Sequence, residues 1–390
     1  MVTDRENCQI ACSVLKGVRA GRIGAVRVAI TLEQCWHRVP GGTAVAALGS
    51  VEALGRLSVP PEMVGVSAWH RNPPQKPFDP GIPMAAVPMP RVGLYWCWHR
   101  MRWPSVQRAA GPVDAIHATG MAVPPRTAPL AVTVNDLAFL RHPDHFTSRG
   151  RQFFGRSLEL TRNDADIVVC PSQYTADDCV RAGIDAKRVR VVPYWTDDRL
   201  VPLSEAEKVR QRFQLADRFV LWVGTAEPRK NLACLLEAWQ LLGRKAEELV
   251  LVGPRGWKSN LDRDLAASGS PVRRLGFVTE ADKRALVRAA EVVCYPSLTE
   301  GFGLPVLEAM VQETPVVTSA VGATAEVAGA AGRLVDPTQP RHIADALAGL
   351  LDDKAAADCL GEQGRERALA QFTWKHTAEG LLNIYRELVG

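Results

Sequence analysis

Twice along its 390 residues the chain repeats one alternation: a short β-branched apolar run, a glycine or polar turn, then a segment of helical character. The first series has runs at Val26–Glu33, Glu62–Ser67, Val113–His117, Pro129–Val134, Asp166–Pro171 and Val189–Pro193. The second has Phe219–Val223, Glu248–Val252, Val272–Gly276, Val292–Tyr295, Pro315–Ser319 and Gly332–Val335. Near-continuous apolar strands separated by helices predict parallel sheets covered on both faces, an α/β class. The length suits two such domains. We expect an N-terminal extension at 1–25, a first Rossmann-like domain at 26–197 and a polar linker at 198–216. A second Rossmann-like domain follows at 217–372, and an amphipathic helix at 373–390 closes the chain. Pro60 to Pro90 reads as the strand Glu62–Ser67 followed by a long loop.

Composition narrows the class. An apolar fraction of 47% with 23% charged residues is ordinary for a soluble protein. No apolar run nears the roughly 20 residues of a membrane span, and Met1–Gly24 lacks the apolar block of a secretory signal. The nine cysteines form no CxxC pair, which points to a reducing cytoplasm. Basic residues outnumber acidic ones in the first half only. That bias suits an anionic partner such as a lipid phosphate or membrane surface, and equally an ordinary arginine-rich exterior. Nothing suggests nucleic acid. Asp164 and Asp166 look like an acidic metal triplet but precede their strand, at the wrong end of the sheet, so no metal site is expected.

Chemistry concentrates in Thr299–Met310, where an apolar run meets a glycine loop and then a helix opened by Pro305 at its first position. Free N–H groups and a positive dipole suit an anion there. Glu300 and Glu308 frame the loop, and carboxylates repel phosphate, so their natural partners are hydroxyls. Together these features indicate a nucleotide sugar. Arg229 and Lys230 stand at another helix start, a placement that an anion would compensate. Gly41-Gly42 after the first strand is a weaker anion-friendly turn. His117 and Asn135-Asp136 end strands on the side where ligands of open sheets gather. Tyr95–Trp103, aromatic and basic, is either a lipid or sugar contact or interior packing.

Gly224–Leu232, Glu300–Gly303 with Glu308–Met310, Thr314–Thr318, Glu326–Gly329 and Leu334–Pro337 together resemble the family-4 retaining glycosyltransferases. The likeness is strong over 217–390 and fainter in Val132–His142, Asp166–Ser172 and Val189–Tyr194. It implies the GT-B fold: two Rossmann-like domains facing across a cleft, with the last helix crossing back to the first. Lys230 and Arg229 would then neutralise the donor diphosphate, Glu300 would bind sugar hydroxyls and Glu308 the ribose. Gly301, Phe302, Gly303 and Leu304 would line the donor, with Gly253, Phe277 and Val278 around the base and Gly42 on the facing domain.

The implied reaction moves a hexose, with mannose favoured, from a GDP- or UDP-linked sugar to a glycan or lipid-linked acceptor of the cell envelope. It would proceed with retention, without metal or other cofactor, in the cytoplasm or at the inner membrane face. Two positions depart from the family. Asn135 stands where relatives usually carry histidine, and Trp195 where they usually carry glycine. Asn135 keeps a second reading open, a GT-B protein that binds a nucleotide sugar without transfer.

Overall fold

A computed structural model of the protein describes residues 26–37, 41–256 and 272–390. The extension 1–25 and Val39-Pro40 lie outside the described residues. The first sheet contains β1 (Arg27–Thr31), β2 (Glu62–Ala68), β3 (Met84–Val87), β4 (Ala115–Ala118), β5 (Leu130–Thr133), β6 (Ile167–Cys170) and β7 (Val189–Val191). Its order is β3-β2-β1-β4-β5-β6-β7, and every pair is parallel. The second contains β8 (Phe219–Val223), β9 (Glu248–Val252), β10 (Val272–Gly276), β11 (Val292–Tyr295), β12 (Val316–Ser319) and β13 (Arg333–Val335), ordered β10-β9-β8-β11-β12-β13 and again parallel. Central strands such as Phe219–Val223 are buried throughout, because helices cover both faces. Two parallel, doubly wound sheets, one in each half of the chain, fit the expected GT-B architecture.

Strand order reverses between β1 and β4 in the first sheet and between β8 and β11 in the second. At such a switch point the adjoining loops diverge and leave a crevice. The loop after β8 carries Arg229 and Lys230, and the loop after β11 carries Glu300. Topology therefore brings the two motifs together across 70 residues of chain.

The last helix, Trp374–Val389, packs on the first half. Leu381, Ile384 and Tyr385 join the core of Val28, Ile30, Val51 and Leu54. The Tyr385 hydroxyl is hydrogen bonded to His117 Nδ1 at 2.8 Å, and His117 Nε2 to Thr133 Oγ1 at 2.7 Å. His117 is thus a buried tie between β4, β5 and the last helix, and burial pulls its imidazole down to about 4.

Three expectations need correction. The stretch read as a long loop before Pro90 contains the edge strand β3, whose prolines on either side disguise it. The helix after the glycine loop opens at Leu304, so Pro305 is its second residue. The polar connector holds a helix, Leu203–Arg212, whose Ala206 and Val209 enter the second core. Tyr95–Trp103 divides between both readings: Cys97, Trp98 and His99 are buried, while Trp96 and Trp103 are exposed. Asp164 pairs with Arg102 at 2.5 Å and Asp166 with Arg126 at 2.7 Å.

Candidate active site

The site starts with two tied loops. After β8, Pro228–Lys230 makes a 3₁₀ turn, and Asn231, in left-handed conformation (φ 57°), begins the helix Leu232–Leu242. Asparagine tolerates that conformation better than most residues. Its amide donates to the carbonyls of Pro296 (3.0 Å) and Pro337 (2.6 Å), and Leu298 N donates to Arg229 O at 2.8 Å. The β8 loop is thereby fixed to the β11 loop.

At their junction lies Glu300, buried with only 8% of its surface exposed. Its Oε1 accepts from Lys230 Nζ (2.5 Å), Tyr295 OH (2.9 Å) and Ser297 Oγ (2.7 Å). Oε2 accepts from an Arg229 guanidinium N–H at 2.8 Å. Burial alone would push this carboxyl up. The charges of Arg229 and Lys230, with hydrogen bonds from Lys230 and Ser297, outweigh it and hold the group at about 2. Oε1 is therefore saturated, and a further hydroxyl donor can approach only Oε2.

Arg229 also binds Glu227 Oε2 at 3.0 Å. Burial disfavours its charge, but Glu300, Asp136 and Glu227 together raise it well above the usual range. Burial and the Arg229 charge pull the Lys230 ammonium down, with Glu300 opposing them. The two cations and Glu300 are one cluster. Both cations are already met by carboxylates, Arg229 by Glu227 and Glu300 and Lys230 by Glu300, and burial strengthens each of these interactions.

Glu308, also buried, receives Lys283 Nζ at 2.8 Å, and Lys283 reaches Glu280 at 2.9 Å. Burial pushes the Glu308 carboxyl up despite Lys283. The lysine itself is raised, because Glu308 and Glu280 overcome its own burial. Gly303 caps the helix Leu304–Val311 that carries Glu308.

Two glycines are dictated by close approach. A Cβ on Gly301 would lie 1.6 Å from Asn135 O, so only glycine lets the β11 loop touch the facing half. A Cβ on Gly253 (φ 131°) would lie 1.9 Å from Gly224 O. Gly253 therefore packs the β8 and β9 loops back to back.

The remaining expected residues scatter. The Phe302 ring is buried between Tyr194 (5.5 Å) and Phe372 (5.6 Å), leaving only its backbone for a ligand. Leu304 is half-buried at the helix start, Val278 packs on the second core and Phe277 is 73% exposed. Gly42 sits exposed in the first turn of the helix Gly41–Gly55. Asn135 Oδ1 accepts from Tyr194 OH at 2.5 Å, which turns the amide NH₂ away from that tyrosine.

Residue reading missed Tyr295, Ser297, Lys283 and Tyr194. The first two adjoin the apolar run of β11, where their hydroxyls gave no signal. The others become partners only through tertiary contact.

Residues 40–200 match the family description "Glycosyltransferase Family 4", and residues 217–353 match "Glycosyl transferases group 1". The O-antigen chain mannosyltransferase B of Escherichia coli is 32% identical over 282 residues, covering 70% of this chain and 74% of that protein. This chain belongs to glycosyltransferase family 4. A D-inositol 3-phosphate glycosyltransferase of Salinispora arenicola is 35% identical over 318 residues, covering 72% of this chain and 70% of its own. Among solved structures, Anabaena HepE in complex with UDP and glucose superposes with a TM-score of 0.74 at 19% identity, covering 93% of this chain and all of that one. The sucrose-phosphate synthase of Thermosynechococcus elongatus gives 0.72 at 23% identity, covering 93% and 99%. As a family-4 member the protein is a glycosyltransferase acting on nucleotide sugars. Among the described residues, no helix is long and apolar enough to cross a membrane.

Proposed function

We propose that the protein is a retaining, metal-independent hexosyltransferase that moves mannose from a GDP- or UDP-linked donor to a glycan or lipid-linked acceptor of the cell envelope. The observation that carries this reading is the buried Glu300 cluster, with Arg229 and Lys230 bound to it and Oε2 accepting, among the described residues, from Arg229 alone. In this reading Arg229 and Lys230 stabilise the departing diphosphate and Oε2 accepts a hydroxyl of the transferred sugar. Glu308 holds the ribose hydroxyls, and the N–H groups of Gly301 to Leu304 face the donor. Gly253, Phe277 and Val278 border the base, and Gly42 approaches from the opposite half. The leaving phosphate takes the acceptor's proton on the face it departs from, which preserves the anomeric configuration. Stabilisation of that leaving charge lowers the barrier. The nucleotide sugar is the sole small-molecule partner, with no added cofactor.

Mannose is favoured by the relative from Escherichia coli. Membrane contact is supported by the helix Arg91–Arg100, which exposes Val92 and Trp96, with Met101, Trp103 and Trp69 also exposed. Arg108 lies 5.4 Å over the Trp103 ring. Aromatic and basic side chains together suit an anionic interface at the cytoplasmic face.

A second reading, binding without transfer, is favoured by Asn135, which cannot shuttle a proton. The discriminating assay follows nucleoside diphosphate release and transfer from GDP-mannose, UDP-glucose and other common nucleotide sugars, with chelator added and product anomers assigned by NMR. Transfer with retained configuration in chelator is expected. Binding without release from any donor would sink the transferase. Glu300→Ala is expected to lower turnover at least about a hundredfold with the fold intact. Unchanged transfer would remove its role. Asn135→His tests the departure: a large gain in turnover is the outcome expected if asparagine costs catalytic power.

A further inference from the structure

The helix Gln173–Arg181 belongs to the first half, yet its N-terminus is completed from the second. Within its own half, Ser172 caps it by accepting from Thr175 N at 3.1 Å. The N–H groups of Gln173 and Tyr174 would otherwise be orphans. They donate to the two carboxylate oxygens of Glu326, at 2.9 and 3.1 Å, from across the interface. A carboxylate is favoured there by the helix dipole.

The same turn holds the donor loop. Ser172 Oγ donates to Gly301 O at 2.7 Å, and Thr175 Oγ1 to the same carbonyl at 3.1 Å. Gly301 follows Glu300 and lies flush against Asn135. The Tyr174 ring lies 3.6 Å from where a Cβ on Gly322 would stand, one turn before Glu326. One helix terminus thus grips both the loop beside Glu300 and the carboxylate opposite.

We propose that Glu326 is a positioning residue: by capping the helix Gln173–Arg181 across the interface, it holds Ser172 and Thr175 on the Gly301 carbonyl and sets Glu300 for transfer. This rests on the transferase reading for its consequence in catalysis, though not for the contact between the two halves. Glu326 is exposed, and Arg367 independently secures its backbone by donating to the carbonyls of Glu326 and Val327, each at 2.8 Å. Replacing the side chain therefore leaves the local helix in place.

The test compares full-length wild type, Glu326→Ala and Glu326→Gln. An intramolecular distance between labels on the two halves is measured with UDP or GDP present, and transfer and donor hydrolysis are measured separately. In Glu326→Ala the open population should rise about threefold to tenfold. Turnover should fall by a similar factor, nucleotide affinity should change less than about twofold, and a larger share of donor should go to water. Glu326→Gln, which keeps an acceptor without charge, should fall between. An unchanged distance distribution in Glu326→Ala overturns the proposal, as does lost turnover without opening. If wild type transfers nothing, the distance measurement alone still decides the latch, and only the transferase reading fails.

Discussion

Lys283 shows how one side chain can decide the state of another that chemistry singles out. Glu308 is buried and pairs with the Lys283 ammonium at 2.8 Å, a contact that opposes the burial pushing its carboxyl up. Removing one member of a buried pair leaves the other uncompensated. Lys283→Met is therefore expected to raise the donor KM about tenfold while changing kcat little. The rise should grow as pH falls, because the unpaired carboxyl, already pushed up by burial, then protonates more readily. Steady-state kinetics across pH checks this, and an unaltered KM would detach Glu308 from the donor. Along the chain, Glu300, Glu308, Arg229 and Lys230 were legible because their residue types conflict with their local setting. Lys283 conflicts with nothing in its helix. Only packing of the helices Glu280–Ala289 and Leu304–Val311 gives it a partner. At this scale Arg229, Lys230 and Glu300 are also hydrogen bonded to one another, a link their separation along the chain does not announce.

Among elements, the helix Trp374–Val389 explains the Trp195 departure. Trp195 lies in a small cluster with Ala53 and Ala378, and its Nε1 donates to Gly49 O at 2.7 Å. The Arg56 guanidinium covers the ring at 4.5 Å and approaches Trp374 at 5.8 Å. The indole joins the first half to the crossing helix. Trp195→Ala should cost about 3 to 5 kcal/mol of stability, read as a lowered denaturant midpoint, with nucleotide affinity retained in the protein that stays folded. Most elements could be placed from periodicity alone; Phe219–Val223 and Glu248–Val252 match their expected bounds. Elements that escaped carry little periodic signal. β3 has four residues between prolines, and the helix Leu203–Arg212 is largely polar because it buries only Ala206 and Val209.

Across the whole molecule, His37, His99 and His117 share one direction: burial holds each at about 4, below the usual imidazole value. The unfolded chain binds protons near 6.5, so folding is favoured above that pH and loses stability as pH falls from there towards 4. For His117 alone the loss reaches about 3 kcal/mol. Thermal melts at pH 7.5 and 4.5 should show the fall, and His117→Gln should flatten it. Equal slopes would assign the effect elsewhere. The contact between His117 and Tyr385 joins residues 268 positions apart. Synthesis runs from the N-terminus, and domains generally fold as they emerge. Here the first sheet cannot complete its core until the final helix leaves the ribosome, after the second sheet has been made. The domain that starts first finishes last, and every nascent chain passes through a stage in which its aliphatic face waits uncovered.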